Sequence, residues 1–177
     1  MCGIVGYVGP QAALDVVVEG LRRLEYRGYD SAGVAIVADG ALHVAKKAGK
    51  IANLDKLLAE EPLPHSGLGI GHTRWATHGA PNDVNAHPHV SSPLHQAGAG
   101  RVALVHNGII ENFATLRAEL ERAGISMASD TDTEIVAHLL GQQVRHVAVG
   151  VVHHDRCRAA GEGTRHRGVR FLGHQQP

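Results

Sequence analysis

Cys2 is the residue of this chain best suited to covalent chemistry, because it directly follows the initiator Met1. Met is normally removed before a small residue, and the chain would then begin with both a thiol and a free α-amine. A thiolate is a strong nucleophile, and an α-amine titrates near pH 8, roughly two units below a lysine. One residue can therefore supply the nucleophile and the general base of a hydrolysis. Position alone favours a cysteine of no special function, and the other motifs decide between the two interpretations.

Three polar segments elsewhere could complete a site for acyl transfer. Residues 72–79 follow an apolar run, and there Arg74 offers a planar guanidinium that matches a carboxylate. Asn107 and Gly108 follow another apolar run, and together they can supply two N–H donors to a developing oxyanion. The acidic segment 129–134 could bind a substrate ammonium through one carboxylate. Each segment also has an ordinary interpretation, as an exposed loop, an Asn-Gly turn or a helix start.

A metal site is the other chemistry that the histidines suggest. His78, His87 and His89 lie close together in the sequence. A zinc site needs three or four well-placed ligands, whereas Pro88 separates two of these histidines and no paired Cys or Glu accompanies them. The sequence therefore predicts neither a metal nor a cofactor.

Composition excludes several classes of function. The 177 residues are 44% hydrophobic, which suits one domain with a real core. A formal net charge of zero gives no support for binding to nucleic acid or to a membrane surface. The two cysteines, Cys2 and Cys157, form no disulfide framework and fit a reducing compartment. The sequence shows no signal-peptide pattern and no apolar stretch of membrane-spanning length, so we expect a cytoplasmic protein.

Apolar periodicity predicts the elements that must position these residues. Strands and helices arrive in separate groups along the chain, which favours an α+β fold over a strictly alternating one. Gly28 and Gly124 are expected to end helices, and Thr131 or Asp132 is expected to cap one. The predicted strands span 3–8, 32–37, 41–45, 68–73, 102–106 and 147–152, and the predicted helices span 11–25, 53–61, 112–123 and 133–144.

Taken together, the motifs resemble the glutaminase domain of the glutamine–fructose-6-phosphate aminotransferases (glucosamine-6-phosphate synthases). The Cys-Gly-Ile start is shared with amidophosphoribosyltransferase, and Cys-Gly also with asparagine synthetase. The stretch Glu-Tyr-Arg-Gly-Tyr-Asp-Ser-Ala-Gly at residues 25–33 is much more particular to the hexosamine enzyme. The matching segments are, in order, 1–6, 24–33, 72–79, 85–89, 106–112 and 131–134.

The resemblance implies a fold and a physiological partner. The fold is α+β, the N-terminal-nucleophile (Ntn) hydrolase αββα sandwich, with two stacked antiparallel sheets between helix layers. In the family, which is homo-oligomeric, glutamine yields glutamate and ammonia. The ammonia then passes to a sugar-isomerising domain that binds fructose 6-phosphate and makes glucosamine 6-phosphate. That domain has no counterpart in this sequence, and we expect the sandwich itself to be incomplete at its C-terminal end.

The resemblance also implies a role for each matched residue. Cys2 would attack the side-chain amide of L-glutamine, with its own α-amine as base through a water molecule. Asn107 and the Gly108 backbone would form the oxyanion hole. The residues implied to bind glutamine are Arg74 at the α-carboxylate, Asp132 at the α-ammonium, Trp75 in a mobile loop that closes over the substrate, and Thr77 and His78 along the pocket.

The composition changes near residue 145. Residues 1–145 form the partial glutaminase domain and carry a charge of −3, whereas residues 146–177 hold five Arg, five His and no Lys. We interpret residues 146–177 as a divergent basic tail, such as a shifted reading frame would produce. Missing strands would leave sheet edges and apolar faces uncovered, so we expect poor solubility and weak or absent activity. The alternatives are the glutaminase half of another class II amidotransferase, such as amidophosphoribosyltransferase, and an inactive glutamine-binding fragment.

Overall fold

Two four-stranded β-sheets lie in the middle of the described molecule. The computed structural model describes residues 2–76, 79–91, 101–144, 146–153 and 169–174. Their elements are β1 (Gly3–Val8), α1 (Ala13–Arg22), β2 (Ser31–Ala38), β3 (Ala41–Ala48), α2 (Ile51–Glu60), β4 (Leu68–Arg74), β5 (His89–Val90), β6 (Val102–Asn107), α3 (Phe113–Arg122), α4 (Asp132–Gln143), β7 (Ala148–His153) and β8 (Val169–His174). None of these helices combines the length and apolarity needed to cross a membrane.

The first sheet has the strand order β1-β4-β2-β3 and is antiparallel throughout. Side chains alternate between its two faces, and two glycines of β4 let α1 pack close to the sheet. A Cβ atom at Gly71 would lie 2.4 Å from Cγ1 of Val17, and one at Gly69 would lie 3.2 Å from Cβ of Ala13. A larger side chain at Gly71 would therefore push α1 outward.

Three apolar clusters separate four layers. Val34 of β2 packs with α1 and α2 on one side of the first sheet, whereas Ala35 and Val37 pack against the second sheet. In the second sheet, Leu104 packs with α3 and α4, and its neighbour Val105 faces the first sheet. The layers therefore run helix, sheet, sheet, helix, which is the αββα sandwich that the family resemblance implies.

The second sheet, in the order β5-β6-β7-β8, differs from the expectation of antiparallel sheets. Its strands β6 and β7 pair in parallel, with Val102 opposite Ala148. The chain leaves the end of β6, passes through α3 and α4, and re-enters the sheet at the end where β6 began. Parallel pairing requires such a crossover, whereas β5–β6 and β7–β8 are antiparallel.

Several element boundaries also differ from prediction. The helix expected over 11–25 ends at Arg22, and a 3₁₀ turn over Glu25–Arg27 follows it. Gly28, predicted to end that helix, instead ends the 3₁₀ turn, with φ +72°. Gly124 follows α3 with φ +84°, as predicted. The short strands β5 and β8 are not predicted from the sequence.

Thr131 is the N-cap residue of α4, but its side chain makes no capping hydrogen bond. Glu134 stabilises this helix start instead. Its carboxylate accepts hydrogen bonds from the backbone N–H groups of Ala128 and Ser129, at 2.7 and 2.6 Å. The side chain of Ser129 donates to the same carboxylate, at 2.6 Å.

Candidate active site

Cys2 lies directly before β1, next to the end of β4. The antiparallel register places Gly3 opposite Thr73, and the Gly3 N–H donates to Thr73 Oγ1 at 3.1 Å. Beyond that pair, the backbone N–H of Trp75 donates to the Cys2 Sγ at 3.2 Å. The thiol is therefore held where β4 becomes a loop, and it remains partly exposed.

Asn107 approaches Cys2 from the second sheet. It ends β6, and its Nδ2 donates to the carbonyl oxygen of Cys2 at 3.5 Å. Its Oδ1 lies 2.8 Å from Nε2 of His72, a residue of β4. Gly108 follows with φ +145°, in a region of conformational space that a residue with a Cβ rarely adopts. The sandwich thus brings Asn107, one of the two predicted oxyanion donors, to Cys2, the predicted nucleophile.

Arg74 and Asp132 are buried charged residues of the same region, 4% and 6% exposed. Burial lowers the pKa of Arg74, and the negative charges of Asp30, Cys2 and Asp132 act in the opposite direction. The Asp132 carboxylate accepts the Ile110 backbone N–H at 2.8 Å, which fixes its position at the start of α4. Arg74 therefore interacts electrostatically with both Cys2 and Asp132.

Asp30 anchors the loop that follows β4, and the sequence alone does not indicate this role. Its backbone N–H donates to the carbonyl oxygen of Arg74 at 2.8 Å, and its carboxylate accepts the Ala76 N–H. Trp75 lies between these two bonds and is 54% exposed, with its ring 3.0 Å from the position of a Cβ on Gly28. The predicted pocket residues Thr77 and His78 lie outside the described residues.

Four histidines are buried where the two sheets meet. The rings of His72 and His87 stack at 4.4 Å, and those of His87 and His89 meet edge to face at 4.8 Å. The backbone N–H of His106 donates to His87 Nδ1 at 3.4 Å, and His89 Nε2 lies 2.9 Å from Thr131 Oγ1. No group of three or more His, Cys, Asp or Glu in the described ranges is arranged to hold a metal ion.

Burial is the main influence on the charge state of these histidines. It lowers the pKa of His72 to about 4, that of His89 to about 3, and that of His87 well below its usual range. The positive charge of Arg74 acts on all three in the same direction. These imidazoles are therefore neutral near pH 7, and each can donate one hydrogen bond and accept another.

The acidic segment 129–134 contributes in two ways. Glu134 belongs to the helix start described above, which is the ordinary interpretation of such a segment. Burial would raise the pKa of Glu134, but hydrogen bonds from His138, Ser129 and the backbone lower it to about 2. Asp132 instead accepts the Ile110 N–H and interacts electrostatically with Arg74, and it is the acid that the resemblance selects.

Comparison with known proteins gives this geometry a family. A family model described as a glutamine amidotransferase domain matches residues 83–154. Glutamine–fructose-6-phosphate aminotransferase from Streptomyces coelicolor is 68% identical over 143 residues, which are 81% of this chain and 22% of that protein. The enzymes of the same name from Corynebacterium glutamicum and Mycobacterium tuberculosis are 64% and 59% identical, over 80% and 82% of this chain and 23% of each relative. The chain spans less than a quarter of the length of these relatives.

Among solved structures, the glutamine phosphoribosylpyrophosphate amidotransferase of B. subtilis has a TM-score of 0.64 at 27% identity, over 82% of this chain and 30% of that one. The fold and the family match define the chain as a glutamine amidotransferase domain of the N-terminal-nucleophile class. Its identity to the phosphoribosylpyrophosphate enzyme is far below its identity to the aminotransferases. Within the class, the chain is homologous to the glutaminase half of glutamine–fructose-6-phosphate aminotransferase.

Proposed function

We propose that this chain hydrolyses the side-chain amide of L-glutamine, with Cys2 as the nucleophile. The observation that carries the proposal is the approach of Asn107 to Cys2, 3.5 Å between Nδ2 and the carbonyl oxygen, across 105 residues of sequence. A thiol beside a fixed amide donor is the arrangement that acyl transfer needs.

The reaction proceeds in two balanced steps. The α-amine of Cys2 takes the thiol proton through a water molecule, and the thiolate attacks the side-chain carbonyl carbon. The oxyanion that forms accepts hydrogen bonds from Asn107 Nδ2 and the Gly108 N–H. Collapse breaks the C–N bond, and ammonia leaves with a proton delivered by the α-amine of Cys2. Water then cleaves the thioester, releases glutamate and restores the thiol. The α-amine can act only after removal of Met1.

The substrate is recognised at its α-carbon end by two opposite charges. Arg74 pairs with the α-carboxylate, and Asp132 with the α-ammonium. Both side chains are largely withdrawn from water, so each pairing is stronger than it would be on the surface. The loop with Trp75 closes over the bound amino acid, and the family resemblance adds Thr77 and His78 to the pocket.

In the cytoplasmic full-length enzyme, we infer that the released ammonia goes to fructose 6-phosphate. The printed names of the aminotransferase relatives support this acceptor, and their identity to this chain is more than twice that of the phosphoribosylpyrophosphate enzyme. The acceptor would bind a further domain, within a homo-oligomer. In this proposal residues 1–145 carry the glutaminase function and residues 146–177 carry none of the chemistry.

The test is glutamate release from glutamine by the purified chain, together with mass spectrometry of its N-terminus. We expect loss of Met1 and turnover that disappears in Cys2→Ala. The matched control is Cys157→Ala, which removes the other cysteine of the chain and should leave turnover unchanged. Binding of glutamine without turnover, in folded protein that lacks Met1, would favour the inactive-fragment alternative and refute the proposal.

A further inference from the structure

We propose that His72 is a positioning residue, which holds the amide of Asn107 with its NH₂ group toward Cys2. This inference rests on the proposed function for its catalytic consequence, but its structural part stands separately. His72 lies in β4 of the first sheet and Asn107 at the end of β6 in the second, so the bond between them crosses the sandwich.

The hydrogen bonds of Asn107 specify one orientation of its amide. Its Nδ2 lies 3.5 Å from the Cys2 carbonyl oxygen, and its Oδ1 lies 2.8 Å from His72 Nε2. A rotated amide would turn its oxygen toward the Cys2 carbonyl, so that two acceptors would face each other. In the observed orientation Oδ1 must accept, and therefore His72 must carry its proton on Nε2.

The surroundings of His72 keep its ring in place. The residue is 1% exposed, and its ring stacks on that of His87 with 28° between the two planes. Since burial keeps the imidazole neutral, with a pKa of about 4, Nε2–H donates as part of an uncharged ring. His72 therefore acts as a rigid donor behind the oxyanion hole and does not touch the substrate.

Loss of the His72 donor should destabilise the transition state more than it weakens substrate binding. Without the His72 donor, the Asn107 amide can rotate and present its oxygen, an acceptor, to the developing oxyanion. Loss of one oxyanion-hole donor lowers kcat by about 10²–10³-fold in a comparable site. Arg74 and Asp132, which we propose to bind the α-carbon end of glutamine, are not changed by this substitution. KM for glutamine should therefore change little.

The kinetic experiment compares three variants of the full chain. In His72→Phe, which keeps a flat ring but removes the donor, we expect kcat to fall by about 10²-fold at nearly unchanged KM. In His72→Gln, whose amide can again donate to Asn107, we expect most of that loss to be restored. The matched control is His89→Gln, which changes another buried histidine of the cluster without contact to Asn107 and should retain kcat. Alkylation of Cys2 by iodoacetamide passes through no oxyanion and should proceed equally in all four proteins.

A second measurement separates this inference from the proposed function. Long-range ¹⁵N–¹H NMR of the unsubstituted chain reports which ring nitrogen of His72 carries the proton, whether or not the chain turns over glutamine. We expect Nε2–H. Protonation on Nδ1 would overturn the inference, as would a kcat in His72→Phe equal to that of the parent. An inactive parent chain with Nε2–H at His72 would instead refute the proposed function and leave the positioning of Asn107 supported.

Discussion

Mild acid should destabilise this fold, because three buried imidazoles must remain neutral in it. His72, His87 and His89 all have pKa values depressed by burial, whereas a histidine in the unfolded chain titrates near 6.5. For a group with a depressed folded-state pKa, the contribution to stability is present above the unfolded value. It is then lost as the pH falls toward the folded-state value. The fold therefore loses this stability as the pH falls from about 6.5 to about 4.

The loss can be estimated for a change from pH 7 to 5.5. Over this interval an unfolded histidine goes from mostly neutral to about nine-tenths protonated, which stabilises the unfolded state by slightly more than ~1 kcal/mol. Three such residues together give a loss of about 4 kcal/mol, against a typical stability of about 5–15 kcal/mol. Among the charged neighbours, Arg74 and Lys46 oppose protonation of His89, and Glu134 favours it. The pKa of Lys46 is about 8 and that of Glu134 about 2, so neither changes charge in the folded state over this interval.

Urea unfolding followed by far-ultraviolet circular dichroism, at both pH values, measures the loss. We expect the free energy of unfolding to fall by about 4 kcal/mol in the parent chain and by about 3 kcal/mol in His89→Gln, which removes one of the three titrations. The matched control is His65→Gln, at an exposed histidine, where the full loss should remain. Equal stability at pH 7 and 5.5 in the parent chain would refute the reasoning.

Three further perturbations test individual contacts. Arg74→Lys removes a planar fork for the α-carboxylate, so KM for glutamine should rise by about tenfold or more in steady-state assays. Asp30→Asn weakens the hydrogen bond that the carboxylate accepts from the Ala76 N–H. Quenching of the fluorescence of Trp75, the single Trp, by a soluble quencher should then increase. The control is Asp39→Asn, a change in the β2–β3 turn, which should not increase it. Glu134→Gln removes a buried carboxylate with several donors and should lower the free energy of urea unfolding by about 3 kcal/mol. Glu119→Gln, at an exposed residue of α3, should change it almost not at all.

Local patterns of apolar residues in the sequence predict much of the fold. The alternation of small and branched apolar residues in β2 and β6 predicts strands buried on both faces, because each successive side chain has a sheet or a helix to pack against. The break after Arg22 is not visible in the same way, since the helical spacing continues to Leu24 while the chain already turns toward Gly28. Strand β5 is two residues long and carries no periodicity. Its pairing with β6 depends on tertiary packing.

The site is predicted unevenly for a related reason. Cys2, Arg74 and Asn107 are marked by residue type and by their place at the start or end of strands. Asp30 and His72 act through other residues: one fixes the loop after β4, and the other fixes an amide on the facing sheet. Nothing in the local sequence indicates which partner a buried His or Asp will have, because that depends on the distance between the two sheets.

The packing of the two sheets brings the candidate site residues together. Cys2 and Arg74 come from adjacent antiparallel strands, β1 and β4, whose register fixes their separation along the first sheet. Asn107 and Asp132 come from the second sheet and from the helix packed on it, so their distance from the thiol is set by the apolar layer between the sheets. That layer includes Val149 of β7, beyond every residue assigned to the chemistry. Cys2 and Asn107 thus keep their separation only while the inter-sheet core is filled, which makes core packing a determinant of the geometry that the proposed reaction needs.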